Sequence, residues 1–136
     1  LRTMLQLKAC WLMSPLSISQ ILPLESGLFD VIIFDEASQV RVEDAIPSIY
    51  RARTMIVVGD DKQMPPTAFF SGGSADEDDD DSEDIAPSVL DLASQVYPSV
   101  LLEWHYRSRS EALIAFSNRA FYGGRLIAAP NPQTLT

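Results

Sequence analysis

Cysteine, histidine and lysine are almost missing from the 136 residues, and each scarcity removes a class of chemistry. The one cysteine, Cys10, excludes an internal disulfide and suits a reducing compartment. Beside Trp11 and Leu12 it reads as a packed core thiol rather than a nucleophile. The one histidine, His105, excludes a histidine-based metal cluster. The two lysines, Lys8 and Lys62, follow Leu7 and Asp61, so no glycine-rich loop ending in Gly-Lys-Ser/Thr is present to cradle phosphates. No apolar run approaches the roughly 20 residues needed to cross a bilayer, and no signal-peptide pattern occurs. These features predict a cytoplasmic location and no membrane partner. Residue 1 is a leucine, so the natural protein is expected to continue on the N-terminal side.

What remains is a chain with 46% apolar and 9% aromatic residues, enough for the core of one globular domain. Its net charge of −9 is unevenly placed. Residues 76–84 hold eight acids and no base, and setting them aside leaves eleven acids against ten bases. The folded remainder is therefore nearly neutral, and the charge neither excludes a nucleic-acid partner nor argues for one. Like charges at this density repel, and the tract lacks apolar residues to offset the entropy of ordering. Residues 72–86 are predicted to be a disordered acidic insertion.

The informative stretch is Val31-Ile32-Ile33-Phe34-Asp35-Glu36-Ala37-Ser38. Four apolar residues read as a strand buried on both faces, yet they run directly into two carboxylates. In an open α/β sheet, ligands bind at the carboxyl ends of the strands. Asp35 there can reach a Mg²⁺ ion carrying nucleotide phosphates, since that ion takes only one or two carboxylates. Glu36 can orient or deprotonate the attacking water. A second apolar run, Thr54–Val58, opens into Gly59-Asp60-Asp61-Lys62-Gln63-Met64-Pro65-Pro66. A third, Val100-Leu101-Leu102, leads to Glu103-Trp104-His105-Tyr106-Arg107. Carboxylates, an amide and a guanidinium arriving from successive strand ends are what phosphoryl transfer requires.

With these boxes in this order, residues 28–124 resemble the first RecA-like motor domain of superfamily 1 helicases. The matches are Asp35-Glu36-Ala37-Ser38-Gln39, the Gly59-Asp60-x-x-Gln63-x-Pro65-Pro66 box and Tyr106-Arg107. Glu-Ala-Ser-Gln after the aspartate is similar to the branch with the RNA helicase of nonsense-mediated decay and large bacterial helicase-like proteins. The resemblance implies an α/β fold, a mostly parallel sheet flanked by helices, with residues 1–136 as the later part of a RecA-like P-loop NTPase domain. It also implies ATP and Mg²⁺ as cofactors, Gln63 as the γ-phosphate sensor, Arg107 at the γ-phosphate and Tyr106 stacked on adenine. His105 stands where many relatives carry a polar amide residue.

In such helicases the end of the first strand faces nucleic acid, making Ser14, Ser17 and Gln20 candidate contacts to single-stranded DNA or RNA. Plain helix capping by the serines is the alternative. The missing phosphate loop and a second RecA-like domain are expected elsewhere in the same protein. The segment alone is therefore expected neither to hydrolyse ATP nor to unwind a duplex. The competing reading is a degenerate ATPase that binds nucleic acid or protein without turnover.

Periodicity and caps place the remaining elements. Strands are expected near 9–13, 31–34, 54–58 and 100–102. A helix over 42–50 should be split or kinked by Pro47. Ser88 with Asp91 predicts a capped helix, and Ser108 with Glu111 predicts another running to about Tyr122, closed by Gly123-Gly124. That last helix should bury Leu113, Phe116, Ala120 and Phe121. Arg51 and Arg53 read as solvated charges, and Asp60 as the centre of an Asx turn.

Overall fold

The computed structural model describes residues 1–66, 87–108 and 111–129, so the expected acidic insertion at 72–86 lies outside the described residues. The chain divides into two compact units, Leu1–Tyr97 and Pro98–Thr136. Each is α/β, with parallel strand pairing.

In the first unit, helices α1 (Arg2–Leu7) and α2 (Pro15–Ile21) precede strand β1 (Phe29–Phe34). A short 3₁₀ turn (Ala37–Gln39), helix α3 (Val42–Tyr50), strand β2 (Ala52–Val57) and helix α4 (Val89–Val96) follow. β1 and β2 pair in parallel, with Val31 opposite Thr54 and Phe34 opposite Val57. The helix between them makes this a βαβ unit, the connection that parallel neighbours need.

Phe34, Ala37, Ala45 and Val89 form the buried core, with Ile32, Met55, Val57 and Leu90 packed against it. Among the described residues only that face of the sheet is covered. Val31, Ile33 and Ile56 point the other way along the alternating strand and stay 47%, 62% and 46% exposed, so β1 is not buried on both faces. Residues 9–13 form no strand: Leu12 is 96% exposed, and no neighbouring strand among the described residues supplies a ladder.

α3 runs unbroken through Pro47 and buries Ala45 and Ser48, whereas Ile46 and Ile49 remain exposed. Arg51 is buried at 3% exposure, not solvated. Its Nε donates to the Pro23 carbonyl (2.9 Å), Nη1 to Pro47 (2.5 Å) and Nη2 to Leu22 (2.9 Å). These oxygens lie just past α2 and inside the last turn of α3, where carbonyls lack helical partners and a cation is favoured. α4 opens with the expected capping box: the Ser88 hydroxyl accepts from Asp91 N–H, and the Asp91 carboxylate accepts from Ser88 N–H.

The second unit pairs strand β3 (Trp104–His105) in parallel with β4 (Ile127–Ala128), joined through helix α5 (Glu111–Phe121). The third strand thus falls after the Val100–Leu102 run, not on it. Gly123 and Gly124, at φ 61° and 73°, end the helix as expected, and Gly124 N–H returns to the Asn118 carbonyl at 2.9 Å. Asn118 then grips the chain entering β4: its Nδ2 donates to the Leu126 carbonyl and its Oδ1 accepts from Leu126 N–H. Leu113, Phe116 and Phe121 are 70%, 76% and 55% exposed, so α5 does not bury the face its spacing suggested. Among the described residues no helix is long and apolar enough to cross a membrane.

Candidate active site

The site of the first unit is built where β1 and β2 end. After Phe34 the chain leaves the ladder through Asp35 and Glu36, both exposed. The Asp35 carboxylate accepts from Glu36 N–H at 3.1 Å through Oδ1. Glu36 adopts the left-handed conformation, φ 52° and ψ 41°, the only described non-glycine residue with positive φ. That conformation costs an ordinary L-residue about 1–2 kcal/mol, and it falls at a strand end, two residues past the buried Phe34. Nothing in the residue types signalled it.

The turn is anchored to the neighbouring strand end. Val58 N–H donates to the Phe34 carbonyl at 2.8 Å, and Ala37 N–H donates to the Val58 carbonyl at 3.0 Å. Ala37 and Ser38 are buried beneath the acid pair, and the Ser38 hydroxyl has no hydrogen-bond partner among the described residues. Gly59 comes so close that a Cβ there would lie 3.1 Å from Ala37 N and 3.2 Å from Ser38 N. Absence of a side chain is what lets the two strand ends touch.

Beyond Gly59 the loop is held by Asp60, as an Asx turn predicts. Its Oδ1 accepts from Lys62 N–H (3.0 Å), its Oδ2 accepts from Gln63 Nε2 (3.1 Å), and its carbonyl accepts from Gln63 N–H. Gln63 is exposed with its amide thereby oriented, and Lys62 pairs with Asp61 at the surface, 2.9 Å apart. Asp35, Glu36 and the 59–63 loop are therefore gathered at one edge of the parallel pair, as the spacing of the two boxes implied.

The nucleic-acid candidates sit on α2. Ser14 is its N-cap: the hydroxyl accepts from Ser17 N–H at 3.2 Å and lies 2.9 Å from the Ser17 hydroxyl. Capping thus occupies both serines, while Gln20 is exposed. Ser14 also lines a groove of about 500 Å³ that passes Gln39 and Arg41 to reach Met64 and Pro65. The groove therefore abuts the far ends of both boxes. Ser17 and Gln20 are not among its lining residues.

Tyr106 and Arg107 belong to the second unit, immediately after β3, and both are exposed. The sequence left His105 of this unit without a role. Ser108 was expected to cap α5; residues 109–110 between it and that helix lie outside the described residues, and the Ser108 hydroxyl lies 2.7 Å from His105 Nε2. His105 is half-buried by this contact. A serine three residues after a histidine was the one available signal.

Comparison with known proteins gives a family match over part of the chain and two relatives. Residues 10–71 match the model of an AAA domain family, a span that includes the acid pair, Gln63 and α2. An uncharacterized ATP-dependent helicase of Mycoplasma genitalium is 38% identical over 119 residues, covering 82% of this chain. Its homologue in Mycoplasma pneumoniae is 37% identical over the same length and share. The chain spans 11% of the length of each relative.

Proposed function

We propose that this chain is part of an ATP-dependent motor of the superfamily 1 helicase type, one that couples hydrolysis to movement along single-stranded DNA or RNA. The observation that carries the reading is the join of two strand ends, where Ala37 N–H on the Val58 carbonyl holds Asp35 and Glu36 against the loop bearing Gln63. One carboxylate for an ion, one for water and an oriented amide then stand at neighbouring parallel strand ends. Both relatives are named as ATP-dependent helicases, which supports the same reading.

On this reading Asp35 holds Mg²⁺, directly or through water. Its carboxylate is exposed and supplies hard oxygen donors, and a single carboxylate suffices for an ion that keeps most of its waters. The ion would neutralise phosphate charge. Glu36 takes the proton of the attacking water, Gln63 senses the γ-phosphate, Arg107 stabilises the charge that develops there and Tyr106 stacks on the adenine. Ser14, Ser17 and Gln20 contact the sugar–phosphate backbone of the bound strand, with Ser14 opening the groove that runs to Met64. The phosphate-cradling loop and a second RecA-like domain come from the rest of a longer, cytoplasmic protein.

The test is Glu36→Gln in the full-length protein. Loss of a general base lowers turnover by about a hundredfold or more while nucleotide still binds. Hydrolysis at the unsubstituted rate would sink the reading.

A further inference from the structure

The second unit closes the turn after β3 with a side chain where a backbone group is usual. His105 ends β3, and its carbonyl oxygen accepts from Ala129 N–H at 2.8 Å, extending the ladder with β4. A four-residue turn starting at His105 would ordinarily use that same carbonyl to accept from the N–H three residues on. Here the imidazole replaces it. Nε2 accepts from Ser108 N–H at 3.1 Å and lies 2.7 Å from Ser108 Oγ. The two residues enclosed are Tyr106 and Arg107.

The donor fixes the state of the ring. A backbone N–H can only donate, so Nε2 must present its lone pair, and the proton of the neutral imidazole sits on Nδ1. The Ser108 hydroxyl, free to rotate, donates to the same nitrogen. A ring protonated at Nε2 would set two N–H groups against each other.

We propose that His105 is a positioning residue for Arg107: the neutral imidazole, protonated on Nδ1, closes the 105–108 turn through Ser108 and thereby fixes the direction in which Arg107 leaves the strand. This rests on the reading of Arg107 as the phosphate-binding arginine. A guanidinium engages phosphate oxygens as a planar fork, so its worth depends on the backbone that aims it. Among the described residues nothing covers the exposed Tyr106 and Arg107, and the imidazole bridge supplies order to the turn that carries them. A glutamine at 105 offers a carboxamide oxygen of similar reach, whereas an alanine offers nothing.

Two measurements test this. His105 is the only histidine of the chain, so the imidazole nitrogen spectrum of the 136-residue protein reports one ring. We expect the neutral ring to show a protonated Nδ1 and a bare Nε2; a proton on Nε2 overturns the proposal. The second measurement is ATP hydrolysis by the full-length protein. His105→Ala should lower kcat about tenfold, and His105→Gln should restore it to within about twofold. In an Arg107→Ala background, His105→Ala should lower the residual rate no further. Unchanged turnover in His105→Ala, or a further loss in the double variant, overturns the proposal while Arg107→Ala alone is impaired. Full turnover in Arg107→Ala instead overturns the phosphate reading, and the proposal with it.

Discussion

The guanidinium of Arg51 and the carbonyl of Leu22, 29 positions apart in sequence, meet at 2.9 Å in the interior of the first unit. The same side chain reaches Pro23 and Pro47, so one residue fastens the exit of α2 to the end of α3. All three acceptors are carbonyls, and the charge is dispersed over oxygens left over by two helix ends. Arg51→Met removes the guanidinium donors from all three oxygens, of which the Pro23 carbonyl keeps the Glu25 N–H at 3.0 Å. The expected loss is about 3 kcal/mol, read as a lower urea midpoint, and Arg51→Lys recovers only part of it. A midpoint unmoved by Arg51→Met would show that water serves those carbonyls equally well.

Gly59→Ala tests the contact between the strand ends. The added methyl meets backbone nitrogens at 3.1 and 3.2 Å and Leu90 Cδ2 at 3.1 Å, and backbone cannot step aside as a flexible side chain can. We expect a stability loss of about 1–2 kcal/mol from overpacking. ATP turnover of the full-length protein should fall as well, because the displaced atoms are those under Asp35 and Glu36. Intact turnover in a destabilised variant would uncouple the two.

Glu36 offers the opposite trade. Asparagine tolerates the left-handed backbone better than glutamate does, so Glu36→Asn should raise stability, by on the order of 0.5 kcal/mol, while abolishing hydrolysis. Thermal melting and a phosphate-release assay read the two effects separately. A variant both less stable and inactive would contradict the strained-turn account.

The capping box at α4 carries a pH signature. Hydrogen bonds from the Ser88 hydroxyl and the Ser88 N–H hold the Asp91 carboxyl below its ordinary value of 3.8. A carboxyl depressed in the folded state contributes stability above its unfolded value and loses it as pH falls through the folded one. Ser88→Ala should cost about 1 kcal/mol near neutrality. The gap between the two proteins should narrow below pH 3.8, where Asp91 takes up its proton. A gap that is constant down to the acid limit would assign the loss to the hydroxyl's bond with Asp91 N–H alone.

The features legible in sequence were those decided within a few residues. The acid pair at the end of β1, the Asx turn at Asp60, the Ser88–Asp91 box and the Gly123-Gly124 stop all follow from local chemistry, and the structure carries each one. The misreadings share a cause. Residues 9–13 and 100–102 have the apolar content of strands, but a strand also needs a neighbour to exchange hydrogen bonds with, and pairing fell instead on Trp104–His105 with Ile127–Ala128. An arginine two residues before Arg53 looks like any surface charge until carbonyls from 22 and 23 arrive beside it. The left-handed Glu36 was invisible for a related reason, since φ is imposed there by the buried Ala37 and its bond to Val58 rather than by preference. Ser108 could serve two partners, and only the distances decide for His105.

The βαβ ribbon formed by β1 and β2 has a practical corollary for handling the chain. Val31, Ile33 and Ile56 form a greasy stripe on a short sheet whose outer edges meet no further strand among the described residues, the combination that drives strands of different molecules to zip together. Concentrated samples should therefore grow in mass with time. A lysine in place of Ile33 would interrupt the stripe and keep the protein dispersed, at a position remote from the packed face.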